Sequence, residues 1–279
     1  MPIASNRTAL VTGASAGIGE AFARHLAACG LDLALTARNE DRLRLLGDEL
    51  ESNHGVRCHI VAGDLADPET PRRIFEELQG SEVEIDVLVN NAGYALPDDL
   101  LGIEWKDVQE YMQVMAVAWL HFTHLFTPAM VDRSWGRIMN IASLAAFAPE
   151  PPGGLYSGLK SQMVTTSRGL RVRLRPHGVH VTAVCPGFTY TEFHARAGMP
   201  EVERNLPSWM WQRADAVARE GWAACERNRA VVVTGRVNRF LRGILALTPH
   251  ALAERGTPRS VKDIRARKAG GKANSNDGD

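Results

Sequence analysis

A doubly wound α/β domain on a parallel β-sheet, with helices on both faces, is predicted by three features of this 279-residue chain. Short apolar runs alternate with amphipathic stretches, no linker interrupts the alternation, and the first apolar run opens into a cluster of glycines. Strands that are continuously apolar suit a sheet covered on both faces, because neither face meets water. A hydrophobic content of 45% suffices for one buried core.

Residues 8–12 are the first apolar run, and residues 18–30 follow the glycines with helical spacing. Strand-like runs recur at 31–36, 56–62, 86–90, 137–141, 180–185 and 230–234. Helix-like stretches lie between them at 40–52, 68–78, 105–132, 155–175 and 213–228. Two regions depart from the pattern. Residues 188–213 exceed a normal connection and hold Phe188, Tyr190, Phe193, Trp209 and Trp211. Long connections are functional or disordered, and the aromatics favour function. Residues 238–254 mix apolar and basic side chains. They predict a helix that packs on the sheet or at a subunit interface, in preference to lying on a membrane surface. One domain over 1–255 and a flexible tail over 256–279 are expected, with no internal repeat.

Thirty-two basic and 32 acidic residues give a net charge of zero, which argues against a nucleic-acid partner held by bulk electrostatics. Cys29, Cys58, Cys185 and Cys225 are scattered and read as reduced, buried thiols. No secretory signal and no apolar run near the length of a membrane span stand out, so the expectation is a soluble cytoplasmic protein. His121 and His124 lie three apart on a predicted helix but lack further ligands at convincing spacing, so no metal is expected.

Gly13, Gly17 and Gly19 sit where a strand turns into a helix. Such a turn lets backbone approach a pyrophosphate, and the free amide groups and dipole of the helix start favour the phosphate charge. At the end of the second strand, a carboxylate would bind ribose hydroxyls and repel a 2′-phosphate. Ala37 stands there instead, followed by Arg38, whose guanidinium suits a phosphate, with Ser15 and Asn39 as further donors. The expected cofactor is NADP(H). Tyr156 and Lys160 are four apart, hence one turn from each other on a helix. An ammonium that close favours the phenolate and makes the tyrosine a usable acid or base near neutral pH.

From residue 7 to 234 the chain resembles the short-chain dehydrogenase/reductase family, whose fold is of the Rossmann type. The resemblance rests on Thr12-Gly-x-x-x-Gly-Ile18-Gly19, Asp64-Leu65, Asn90-Asn91-Ala92-Gly93, Ser143 with Tyr156-x-x-x-Lys160, and Pro186-Gly187-Phe188-Thr189-Tyr190-Thr191. It implies that Asp64 and Leu65 meet the adenine, and that Asn91, Ala92 and Gly93 line the cofactor. Pro186, Gly187, Thr189 and Thr191 fall on the nicotinamide side. Ser143 would orient the substrate oxygen, Tyr156 would exchange a proton with it, and Lys160 would also hold the nicotinamide ribose. One position departs: members usually carry an asparagine on the long fourth helix, and Met115 stands there. A thioether is at best a weak acceptor.

The resemblance also implies a homodimer or homotetramer paired through the helix carrying Tyr156 and the helix after it. Phe147, Phe188, Phe193, Trp209 and Trp211 are expected as walls of an apolar substrate pocket. The reading is an oxidoreductase interconverting a ketone and a secondary alcohol on a lipophilic small molecule. The alternative is an NADP(H)-binding sensor or scaffold with little turnover. A nucleotide-sugar epimerase or dehydratase shares the Tyr and Lys but usually needs a larger substrate domain.

Overall fold

The computed structural model describes residues 7–96, 100–148, 154–193 and 206–247. Its main sheet has seven parallel strands: β1 (Thr8–Thr12), β2 (Asp32–Thr36), β3 (Cys58–Ile60), β4 (Ile85–Asn90), β5 (Gly136–Ile141), β6 (Val179–Cys185) and β9 (Val231–Val233). Their spatial order is β3-β2-β1-β4-β5-β6-β9. The chain therefore moves outward from β1 to β3, then returns to pair β4 with the other side of β1. That reversal opens a crevice beyond the carboxyl ends of β1 and β4, where such sheets bind ligands. Two two-residue strands, β7 (Thr189–Tyr190) and β8 (Gln212–Arg213), pair beside it.

Alternation along each strand feeds two core layers. On β1, Ala9 and Val11 join one layer and Leu10 the other, and Val87 and Leu88 divide in the same way on β4. The first layer is closed by α1 (Gly17–Ala28) and α2 (Glu40–His54) through Phe22, Leu26 and Leu43. It also takes Trp222 of α7 (Ala214–Glu226). The second layer is closed by α3 (Thr70–Gly80), by the helix that follows β4, and by α6 (Tyr156–Leu174), through Ile74, Phe122 and Leu174. Asn39 caps α2 by accepting from Arg42 N at 2.9 Å, and Gly55 ends it at φ +67°, a conformation that favours glycine. The last helix among the described residues, α8 (Arg236–Leu247), follows β9.

One expected helix is not uniform. Residues 105–132 divide into α4 (Trp105–Met112), a π-helical stretch (Gln113–Ala118) and α5 (Trp119–Asp132). Such widened turns are rare and concentrate at functional sites. Here the stretch carries Met115. The same 28 residues are long and apolar enough to cross a membrane by length and composition, contrary to the expectation from sequence. Phe122, Phe126 and Met130 on this helix are buried in the second core layer, as in the core helix of a globular domain. Of the expected lid and last helix, residues 194–205 and 248–254 lie outside the described residues, as does the expected tail at 256–279.

Candidate active site

The crevice is a single cleft of about 1620 Å³ reaching from the glycine turn to α8. At one end, Gly13 and Gly17 adopt φ +67° and +63°. A Cβ on Gly13 would lie 2.9 Å from the Asn91 amide, and one on Gly17 would lie 3.1 Å from the Thr191 methyl. No side chain caps α1, whose first turn lines the cleft at Gly17 and Ile18 beside Ser15. A bare backbone cradle at an uncapped helix start fits a phosphate group. Gly19 does not line the cleft. It packs behind the turn, where a Cβ would collide with Gly13 O and the Asn91 amide. Its lack of a side chain lets the start of α1 close against the turn at Gly13.

Thr12 ties this turn to β4. Its hydroxyl donates to Val89 O and accepts from Asn91 N at 2.9 Å and Ala92 N at 3.0 Å, while Asn91 Nδ2 donates to Thr12 O at 2.9 Å. Arg38, Asn39, Asp64 and Leu65 line the far end, with Arg38 exposed. Arg42, one turn along α2, lines it too and pairs across the cleft with Glu192 at 3.3 Å.

At the other end, Ser143, Tyr156 and Lys160 share the cleft with Ala92, Gly93, Pro186, Gly187, Thr189 and Thr191. Ser143 leaves β5 in an extended conformation, and its Oγ accepts from Ala145 N at 3.1 Å. Leu144 N donates to Pro186 O at 2.7 Å, joining the serine loop to the loop after β6. Tyr156 opens α6, so Lys160 lies one turn along it, with Nζ 5.8 Å from the Tyr156 ring centroid. Lys160 is 5% exposed and donates to Ile141 O at 2.8 Å. Burial pushes its pKa down to about 8. Met115, 1% exposed, packs with Tyr156 and Leu159. A Cβ on Gly93 would lie 2.9 Å from its sulfur and 3.8 Å from Lys160 Nζ.

The aromatic wall is only half as expected. Phe188 and Phe193 line the cleft, and Phe193 stands 6.0 Å from the Tyr156 ring. Phe147, Trp209 and Trp211 do not line it. Phe147 packs in a core cluster with Trp119 and Met163, under the Arg242 guanidinium. Trp211 stands behind the wall, tilted against Phe188 at 5.5 Å and stacked on Tyr190 at 5.0 Å, and Trp209 is 62% exposed. Leu241 and Leu245 of α8 and Leu96 after β4 are among the wall residues that the sequence did not point to. A buried network beneath the site was also missed: Asn90 Nδ2 donates to Asn140 Oδ1 at 2.8 Å and to Thr123 Oγ1 at 3.2 Å. Asn140 Nδ2 donates in turn to Ser167 Oγ at 2.9 Å. The two asparagines at register-paired ends of apolar strands were the available signal.

A doubly wound sheet with a glycine cradle and a serine, tyrosine and buried lysine in one cleft defines a class. The short chain dehydrogenase family profile matches residues 7–201, and the chain belongs to that family of oxidoreductases acting on alcohol and carbonyl groups. It is 32% identical over 189 residues to the 3-oxoacyl-(acyl-carrier-protein) reductase of Aquifex aeolicus, covering 68% of this chain and 76% of that protein. It is 32% identical over 204 residues to the very-long-chain 3-oxoacyl-CoA reductase of Anas platyrhynchos, covering 71% of this chain and 64% of that one. A short-chain dehydrogenase from Sphingobium yanoikuyae, solved with NADPH, superposes with a TM-score of 0.76 at 28% identity, covering 92% of this chain and 98% of that one.

Proposed function

We propose that the cleft binds NADP(H) and interconverts a ketone and a secondary alcohol on a lipophilic molecule. The observation that carries this reading is Lys160, a buried ammonium within 5.8 Å of the Tyr156 ring, in one cleft with Ser143. The glycine cradle and the start of α1 hold the pyrophosphate, and Arg38, with Ser15 and Asn39, takes the 2′-phosphate. Asp64 and Leu65 face the adenine. Asn91, Ala92, Gly93, Pro186, Gly187, Thr189 and Thr191 line the remainder. When bound, NADP(H) supplies the hydride in reduction and accepts it in oxidation. Ser143 orients the substrate oxygen. Tyr156 gives that oxygen a proton in reduction and removes one in oxidation. The charge on Lys160 favours the phenolate and helps hold the nicotinamide ribose.

Leu96, Phe188, Phe193, Leu241 and Leu245 give the substrate end an apolar lining, which supports a lipophilic substrate. The long-chain oxoacyl substrate named for one relative agrees with it. Assembly as a homodimer or homotetramer through α6 belongs to the same reading, and its check is the mass in solution. The main test follows NADPH oxidation by the purified protein with a carbonyl panel running from short and polar to long-chain and apolar. Turnover should rise along the series. Tight NADPH binding without turnover of any carbonyl overturns the enzyme reading. It would favour a cofactor-binding sensor, for which Met115 packed beside Lys160 is the structural hint.

A further inference from the structure

The helix that closes the cleft has a second face. Leu241 and Leu245 of α8 line the cleft, and Asn238 is buried against Gly187, while Phe240 and Ile244 point outward, 70% and 47% exposed. Arg236 and Arg239 lie along one edge of this exposed apolar strip, Arg242 lies on the opposite side of the helix, and α8 contains no carboxylate. Arg239 pairs with Glu220 at 2.8 Å and Arg242 lies over the Phe147 ring at 4.9 Å. Arg236 has no ion pair among the described residues. The sequence continues the basic bias: residues 236–272 hold ten Lys and Arg against Glu254 and Asp263, whereas residues 1–235 hold 22 against 28 carboxylates. A net charge of zero thus conceals a basic end on an acidic body.

We propose that the outer face of α8 docks on an anionic lipid surface. Phe240 and Ile244 enter the boundary between headgroups and acyl chains, while Arg236 and Arg239 meet the lipid phosphates. An apolar strip with cations along one edge matches the two layers of such a surface in depth and in sign. Two copies of the helix paired about a two-fold axis would set arginines against arginines with no carboxylate on α8 to meet them. A nucleic acid would meet the arginines but leave Phe240 and Ile244 in water. Docking would also place the cleft wall at the surface from which an apolar substrate enters. That consequence rests on the lipophilic-substrate reading; the docking itself does not.

The test is flotation of the full-length protein with vesicles of phosphatidylcholine alone and of phosphatidylcholine mixed with phosphatidylglycerol. Partitioning onto the anionic vesicles should be at least roughly tenfold stronger and should fall as salt rises. The double variant Phe240→Ser/Ile244→Ser should lose roughly tenfold or more of it. Its NADPH titration should match wild type, since neither side chain lines the cleft. Failure of wild type to bind either vesicle overturns the proposal. So does equal binding of the double variant, which would leave only the charge of the terminal segment. Sedimentation showing an assembly that the double variant splits would assign the strip to a second copy instead. Binding to duplex DNA but to neither vesicle would also overturn it. Vesicle binding without carbonyl turnover would leave docking standing and remove the enzyme reading alone.

Discussion

The Lys160 ammonium donates a 2.8 Å hydrogen bond to the Ile141 carbonyl, at the end of the strand that delivers Ser143. Helix α6 and strand β5 are therefore tied at the point where both contribute to the site. The lysine is charged but almost out of water, and burial brings its pKa from 10.5 to about 8.

This shift has a signed consequence for stability. Below about 8 the buried charge costs stability, because the unfolded lysine holds its proton in water at no such penalty. Between about 8 and 10.5 the unfolded chain binds the extra proton, so stability rises with pH. Lys160→Met lacks this titration. Urea unfolding of the cofactor-free proteins below and above that window should show the difference moving toward wild type by up to about 3 kcal/mol. A constant difference would mean that the lysine titrates normally.

Tyr156→Phe keeps the ring against Phe193 and removes the hydroxyl that the proposed function makes the proton donor. Turnover should fall by roughly 10²–10⁴ while NADPH affinity changes little. Normal turnover in a steady-state assay would remove Tyr156 from the acid/base role.

Arg38→Asp replaces an exposed guanidinium at the cleft edge with a carboxylate. The ratio of NADPH to NADH affinity should drop at least roughly tenfold, as expected when a charge-assisted contact becomes a repulsion. Titration with both cofactors measures it. An unchanged ratio would point to Arg42, which then would have to leave Glu192 for the phosphate.

Asn140→Ala leaves the Asn90 amide and the Ser167 hydroxyl each short of one partner inside the protein. A loss of about 1–3 kcal/mol in urea unfolding is expected, the range for stranding a buried polar group. Stability within experimental error of wild type would show the network to be dispensable.

Met115→Asn puts an amide beside Lys160 where a thioether now packs. Turnover should hold or rise if proton exchange limits the reaction, with some loss of melting temperature from burying a polar group. A collapse of turnover with the fold intact, read by circular dichroism, would show that the methionine itself is required.

How much of this was legible varies from residue to residue. Gly13 and Gly17 declared the cradle because a tight turn into a helix leaves few residues able to serve, and Tyr156 and Lys160 declared their adjacency through helical spacing alone. Trp209 and Trp211 did not declare their directions. They flank the end of a short 3-10 turn at Ser208–Met210, where no lasting periodicity says which side faces in. One is exposed and the other stacks on Tyr190. The pairing of Arg42 with Glu192 joins residues 150 apart, and no local pattern carries that.

The sequence by itself determined the parallel sheet, the position of the glycine cradle and the one-turn spacing of Tyr156 and Lys160, because backbone geometry and apolar periodicity act over a few residues. Tertiary structure alone decided that Lys160 is buried against Ile141 with its pKa lowered, that Leu241 and Leu245 wall the cleft while Phe240 and Ile244 face outward, and that Asn90, Asn140 and Ser167 bond beneath it. Burial and side-chain partnership depend on which distant strands and helices meet, and that is settled only when the sheet closes its core.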